Sequence, residues 1–441
     1  MSLTEEHHGE DGARTGTAPP PLRKNRDFLL LWTGAGLSLL GTRASTAAYP
    51  LLMIWYGGSP TGAGLVGFAA LLPQLLLQLP AGALVDRWDR RRLMIACDLA
   101  GLTAMGSVAA ALISGHLWLP HLMAAAFVEG SAVIFYRLAE RAAVRNLVHP
   151  DHLTVALTRN EARGQGAGLL GQLSGTSLYA LAKWLPFLLT AVAHLCALVT
   201  LLLIRKKFQT ERPQEPHDLR REVREGLVWV WRQRFMRAAV GLIAGSNILF
   251  QVLALALVLI IKEHGGSPAT IGLIGVVSGV GGICGAFTGA WWLKRLSPGA
   301  LVTGTLAVWA LLMLPLAVVT RPVVIGALFA GMSFAGALLN VAAGVYQVQI
   351  TPDAMQGRVT SVFALIGSGM NSAGALVGGL LLAAFGTTPT VAGVAAAMAV
   401  MALAAVASPA IRTAGQEPVE PRPDEDAAAH TEDAPRRTPE K

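Results

Sequence analysis

Charge is scarce in this chain. Charged residues make up 14% of its 441 positions, against 53% hydrophobic ones, whereas a soluble domain carries about 25%. That shortage excludes an ordinary soluble fold. Cysteine is scarcer still. Cys97, Cys196 and Cys284 each sit inside an apolar run, without the Cys/His spacing of a metal site, and read as small buried hydrophobes. There is no Gly-rich loop ending in Lys-Ser or Lys-Thr, so nucleotide hydrolysis is not expected to drive any activity. No nucleophile or metal cluster stands out, which argues against an enzyme and against a cofactor. The net charge of +8 is spread over short loops rather than a basic patch interleaved with aromatics, so no nucleic-acid partner is expected. The paired His7-His8 lies in a polar tail and receives no role.

What is abundant is long apolar sequence. Glycine, at 48 residues, suits close helix packing in lipid. Twelve stretches reach the roughly 17–25 residues that a helix needs to cross a bilayer: 28–56, 62–85, 92–115, 119–145, 155–178, 184–205, 236–261, 269–293, 299–319, 322–346, 358–384 and 388–409. The fold class expected is an all-α membrane protein of twelve transmembrane helices in two pseudo-symmetric six-helix bundles.

Residues 1–26 and 412–441, polar and rich in Pro, Arg and acids, read as disordered tails. No signal-peptide cleavage site follows the first of them. The bundles are expected over 27–205 and 235–411, joined by a linker at 206–234. The second part of that linker alternates charge and then turns apolar through Trp231, as an amphipathic surface helix does; a solvated charged linker is the alternative.

Loop charge orients the chain. The loops at 56–61, 114–119 and 386–390 contain no Lys or Arg, while the opposite loops hold Arg87, Arg90, Arg91, Arg92, Arg141, Arg145, Lys294, Arg295 and Arg358. Only Lys183, Lys262 and Arg321 fall on the other side. By the positive-inside rule both termini are expected in the cytoplasm, with the protein in the cell's cytoplasmic membrane. A shift of 207 residues lays Phe28 on Phe235, Gly82 on Gly289 and Gly171 on Gly378. These are corresponding points of the two halves, as in a parallel repeat.

The loop between the second and third stretches is dense in charge: Gly82, Asp86 and Arg87 are followed by Arg90, Arg91 and Arg92. With two six-span halves and a charged central loop, it resembles the signature of the major facilitator superfamily over about residues 25–410. Within that superfamily the chain is similar to the macrolide-efflux class of drug:proton antiporters of actinobacterial type, in Asn25 to Trp32, in the run Arg137, Glu140, Arg141, Arg145 to Val148, and in Asn160 to Arg163. The resemblance implies alternating access around a midplane cavity lined by spans 1, 4, 7 and 10. It also implies a conformational latch made by Gly82, Asp86, Arg87 and Arg90. Asp86 would meet the N-terminus of span 11, near Gly357 and Arg358, where a helix dipole favours an acid by about 0.3–2 kcal/mol. Setting topology is the plainer role for these charges. The chain departs from the antiporter pattern in span 5, where Gln172 stands in place of a proline after Gly171.

Charges inside the spans are the candidate site. Arg43, midway along span 1, and Glu129, in span 4, reach similar depth. A central arginine costs about 2.5–3.5 kcal/mol to insert, so it usually pairs or faces a wet cavity. Glu129 is read as the proton-coupling carboxyl with Arg43 as its partner; a purely structural ion pair is the alternative. Asp98, Arg137, Glu140, Arg141, Glu161 and Arg163 are read, with Asp86, as one charge network toward the cytoplasmic side, mobile or static. Asn247, Gln251 and Asn340 are candidate substrate contacts, although helix–helix hydrogen bonding also accounts for such residues. The expectation is a monomeric exporter in the lipid bilayer that exchanges protons for a small amphipathic drug or natural product. The rivals are a dedicated exporter or importer of one metabolite, such as a siderophore, and a non-transporting receptor on the same scaffold.

Overall fold

The structure is a computed structural model and describes residues 22–206, 208, 219–352 and 355–412. The first half comprises α1 (Arg26–Leu51, continued by a π-helical turn over Leu52–Tyr56), α2 (Pro60–Arg87), α3 (Arg90–Ser114), α4 (Leu119–Leu147), α5 (Leu153–Leu181) and α6 (Leu185–Leu203). After a short surface helix, α7 (Leu219–Arg232), the second half follows as α8 (Arg234–Glu263), α9 (Pro268–Leu293), α10 (Pro298–Met313), α11 (Pro322–Ile350), α12 (Gln356–Phe385) and α13 (Thr387–Ala407). Helices α1, α2 and α3 start 208 residues before α8, α9 and α10 (Arg26 and Arg234, Pro60 and Pro268, Arg90 and Pro298), one residue more than the 207-residue shift read from the sequence.

Ten of these helices are long and apolar enough to cross a membrane. The other two long ones, α1 and α5, carry the interior polar and charged side chains, Arg43 and the Ser/Thr series of α1, and Asn160, Glu161 and Arg163 of α5. Their starts are set locally. Asn25 accepts from the Phe28 amide at 3.0 Å, Ser59 from Gly62 at 2.9 Å and Asp89 from Arg92 at 2.8 Å. Proline fills the first position of α2, α9, α10 and α11, where its missing N–H costs nothing. Gly115, at φ 75°, ends α3 in the left-handed region that a side chain would strain.

Residues 22–26, assigned to the tail by composition, are structured instead. Leu22 is buried against the first half, and the Asn25 amide donates to the Leu147 carbonyl at 2.8 Å. The rest of both expected tails, apart from Arg412, lies outside the described residues, as does most of 206–218.

The halves meet through α2 on α12 and α5 on α9. We call the end bearing the Asp86 loop the basic end and the other the neutral end. At the neutral end one apolar core runs through both halves, from Leu52, Val66 and Phe187 to Leu253, Ile271 and Leu382. Gly64 and Gly379 touch there: a Cβ on Gly64 would lie 2.8 Å from the Gly379 Cα, so neither position admits a side chain without parting the helices. Lys262 donates to the Ile54 carbonyl across the same junction. Toward the basic end the core splits into one cluster around Phe28, Met94 and Leu201 and another around Met236, Val359 and Val362. Gly82 and Gly357 have open space where a Cβ would go. The bundle is therefore closed at the neutral end and open at the basic end.

Helix α7 is tied to the basic end of the second half. Glu225 accepts from Arg221 Nε at 2.8 Å and from Arg358 Nη1 of α12 at 2.5 Å. The Arg221 hydrogen bond first, then the Arg358 and Arg221 charges, hold the Glu225 carboxyl below the usual carboxylate range. A depressed carboxyl stabilises docking above its unfolded range and loses that contribution as the pH falls through its folded one. We expect α7 to loosen only in acid. Glu225→Gln should do the same at neutral pH, read as faster amide hydrogen exchange across α7; unchanged exchange would mean that apolar contacts alone hold it.

Candidate functional site

Glu129, on α4, is 2% exposed. Its two oxygens accept from hydroxyls of α1: Ser45 Oγ at 2.8 Å and Tyr49 at 2.5 Å. Residues 45 and 49 are one turn apart on the same helical face, and Thr42 and Ser38 continue that face one and two turns back. The expected partnership with Arg43 is not formed. Arg43 lies two residues from Ser45, about 200° around the helix, and its Cβ sits 2.5 Å from where a Cβ on Gly171 of α5 would be. It is exposed, and among the described residues it forms no hydrogen bond or ion pair. Equal depth did not bring the two charges to the same face of α1.

The charges expected in a single network fall into separate groups. Glu140 and Arg163 form a buried pair at 2.7 Å, with side-chain exposures of 9% and 10%. Asn160 also donates to Glu140 at 3.4 Å, and Arg163 donates to the Trp32 carbonyl at 3.1 Å, joining α4, α5 and α1. Asp98 turns away from this pair, to Ser38 of α1 and His194 of α6. Glu161 accepts from Gln165 at 3.2 Å. Arg137 and Arg141 are exposed and form no ion pair among the described residues.

These groups share a cavity of about 440 Å³ in the first half, lined among others by Thr42, Gln78, Tyr136, Arg137, Arg141 and Glu161. Its walls are the early turns of α1 and α5 and the later turns of α4, so it lies toward the basic end. Glu129 is not in its wall. A second pocket, of about 40 Å³, lies among apolar side chains of the second half beside Trp309 and Tyr346, and offers little polar chemistry.

The basic-end loop has divided roles. Asp89 caps α3. Arg90 and Arg91 donate to main-chain carbonyls, Arg90 to Phe208 at 3.5 Å and Arg91 to Leu201 and Leu202 at 3.1 Å each, and so hold the end of α6 and the linker's start. Arg87 is exposed. The Asp86 side chain is 75% exposed and lies 3.8 Å from Arg90. Arg358, at the span where Asp86 was expected to dock, is bonded to Glu225 instead.

The substrate candidates do not converge. Asn247 and Gln251 face glycines of α12, Gly367 and Gly374, in the helix seam, while Asn340 on α11 is exposed. Sequence reasoning missed His194, Tyr49, Ser45 and Ser38. A lone histidine inside the very apolar α6 was a signal, and so was the 38, 42, 45, 49 spacing of hydroxyls. Gln172, which stands where antiporters carry a proline, packs on Gly275 of α9 in the seam between halves.

Residues 16–435 match the family described as transmembrane secretion effector. The chain is 24% identical over 232 residues to macrolide efflux protein A of Streptococcus pyogenes, covering 51% of this chain and 55% of that one. It is 25% identical over 300 residues to the MFS-type transporter YfiS of Bacillus subtilis, covering 65% and 70%. A third match, the Bacillus subtilis MFS-type transporter YkuC, is 26% identical over 141 residues and 32% of its own length. The chain thus spans about a third of one and about half of another of the curated relatives it matches. In fold it is similar to a bacterial homologue of the lysosomal transporter Spinster in an inward-facing, unoccupied conformation (TM-score 0.68, 13% identity, 90% of this chain and 98% of that one). It is also similar to the nucleoside transporter NupG (TM-score 0.71, 11% identity, 86% and 99%).

Removing one member of a buried ion pair typically costs about 3–5 kcal/mol, because the other charge is left unanswered. Glu140→Gln is therefore expected to lower the melting temperature of the detergent-solubilised protein markedly, and Arg163→Gln likewise. The double variant should recover part of the loss. Additive losses would show that the pair contributes nothing as a pair.

Proposed function

The chain belongs to the transmembrane secretion effector family of the major facilitator superfamily, and from that premise we propose that it exports a small amphipathic molecule, an antibiotic or natural product, in exchange for protons. In this reading the basic end and both termini face the cytoplasm, in keeping with the loop charge. The protein works as a monomer in the cytoplasmic membrane, and the state described is open to the cytoplasm. The two halves rock about the α2–α12 and α5–α9 seams so that the cavity is exposed alternately to each side.

The observation that carries the proton part is Glu129. It is an ionisable group inside a membrane span, sealed from the cavity, held by two hydroxyls and met by no cation. A proton on this carboxyl removes a net charge from the hydrocarbon core, where charge is costly. Its partners Ser45 and Tyr49 belong to α1, the same helix that presents Thr42 to the cavity. Substrate entering the cavity therefore presses on the helix that governs Glu129. The 24% identity to a macrolide efflux protein supports export of an amphipath. The basic-end loop supplies the return stroke. Closing that end brings Asp86 to the start of α12, where Arg358 and the helix dipole favour an acid.

In proteoliposomes with an imposed pH gradient we expect gradient-driven movement of a lipophilic fluorescent dye, abolished by Glu129→Gln with the protein still folded. Dye movement unchanged in that variant would sink the assignment of Glu129. No movement in folded wild type would favour a dedicated exporter or importer of one metabolite. For Asp86→Asn we expect the state closed at the basic end to lose population by roughly 2- to 30-fold, the equivalent of a helix-terminus interaction. Distances between spin labels across that end would report it, and an unshifted distribution would reduce Asp86 to a topology signal.

A further inference from the structure

The first half holds a second titratable group, with no hydrogen bond to Glu129. His194 Nδ1 of α6 lies 2.9 Å from Asp98 Oδ1 of α3, and Ser38 Oγ of α1 lies 3.2 Å from each. The side chains of His194 and Asp98 are 3% and 0% exposed. The ring fits only because residue 101 is glycine: a Cβ there would lie 2.4 Å from His194 Nε2. Among the described residues the pair's remaining polar atoms, Asp98 Oδ2 and His194 Nε2, have no hydrogen-bond partner, nor has the hydroxyl of Tyr136. A pair kept for structure alone would be expected to satisfy these atoms, since each orphan costs about 1–3 kcal/mol. All three residues, with Ser38, line the cavity that lies toward the basic end.

The surroundings define what the pair can do. From α3 it is faced by Cys97, and from α4 by Tyr136 and, within electrostatic reach, Glu129. Arg137, Glu140 and Arg141 of α4 and Glu161 and Arg163 of α5 line the same cavity, and Glu140 and Arg163 cancel. α1 carries Arg43 outside the cavity wall, α2 offers only the neutral Gln78 to the cavity, and α6 carries no further charged side chain. Holding one shared proton, Asp98 and His194 are neutral as a unit. Without it the unit carries −1.

We propose that the Asp98–His194 pair is a second proton-binding site, separate from Glu129, that exchanges its proton with water in the cavity at the basic end. The event is a proton transfer: an N–H or O–H bond forms on the pair, a water-borne proton is consumed, and no electrons move. The hydroxyl face of α1 serves both acids, Ser38 reaching Asp98 and His194 while Ser45 and Tyr49 reach Glu129. A shift of α1 thus changes the surroundings of both sites together. The pair's part in transport rests on the proton-coupled reading above; its proton chemistry does not.

The test counts protons. Full-length protein in lipid nanodiscs is given a pH jump, and release is followed with an indicator dye for wild type, Asp98→Asn, His194→Gln and Glu129→Gln. Asp98→Asn preserves shape and can still accept from Ser38. Each pair variant is expected to exchange about one proton fewer than wild type, and Asp98→Asn combined with Glu129→Gln to lose both contributions. An unchanged count in both pair variants, or a count abolished by Glu129→Gln alone, overturns the proposal. Should the pair variants not fold, the infrared difference spectrum of wild type over the same jump decides. Coincident carboxyl and imidazole bands are expected, and their absence overturns the proposal. If dye transport proves independent of pH while the pair variants still lose a proton, the site stands and proton-driven export fails.

Discussion

A charge inside a hydrocarbon slab has to be answered, and much of this structure is the set of answers. Burying an ion without a partner or water costs several kcal/mol. Three acids lie in the interior of the first half, and each is met differently. Glu140 has an arginine at 2.7 Å, Asp98 a histidine at 2.9 Å, and Glu129 two hydroxyls. These are three grades of compensation: full countercharge, a countercharge that depends on a proton, and none. The interior cations Arg43 and Arg137 have no acid to meet, and they are exposed. The cavity supplies the solvent that Arg137 requires.

Helix packing follows from the same accounting. The helices that bring partners together are α1, α3, α4, α5 and α6, and α1 and α5 are the two long helices that fall short of the apolarity of a membrane span. They are tolerated because the more apolar helices surround them. At the neutral end, where the only charges at the junction among the described residues are the helix-end Lys262 and Glu263, glycine allows backbones to touch and one apolar core unites both halves. Where charge and water intervene, toward the basic end, the core divides. The open state is thus the shape taken by a bundle whose cavity and charged pairs lie toward the basic end.

This division explains what could be read in advance. Span number, loop charge, the repeat and the basic loop depend on run length and composition, and the helices fall where those predict. Depth was legible as well, and Arg43 and Glu129 do sit at similar levels. Rotation was not. Whether residue 43 or residue 45 of α1 faces α4 is a matter of about 200° around an axis, set by what packs against the other faces. Here that is Gly171 and Gly175 of α5 and residues 190–200 of α6. His194 was legible as an anomaly, one ionisable side chain in a run of leucine and alanine, but its partner Asp98 is 96 residues away. Capping by Arg91 of the last carbonyls of α6, and the hold of Asn25 on Leu147, are likewise pairings that no local pattern announces.

The two halves share a fold and not a chemistry. Between residues 235 and 411 the only acids are Glu263 and Asp353. Glu263 sits at the neutral end, accepting from Thr387 at 2.7 Å. Among the described residues the second half therefore has no buried carboxyl. The buried acids described all lie in the first half, which meets the second through the α2–α12 and α5–α9 seams. The residues at those seams have the required connections. Arg43 and Gly171 link the α1 face to α5, Gln172 beside Gly171 packs on Gly275 of α9, and α9 packs closely on α11. The helix that bonds both Glu129 and the Asp98–His194 pair is thus three packed contacts from the core of the second half. With Gln172 where the resembled antiporters carry a proline, α5 runs unbroken from Leu153 to Leu181, its backbone hydrogen bonds uninterrupted there.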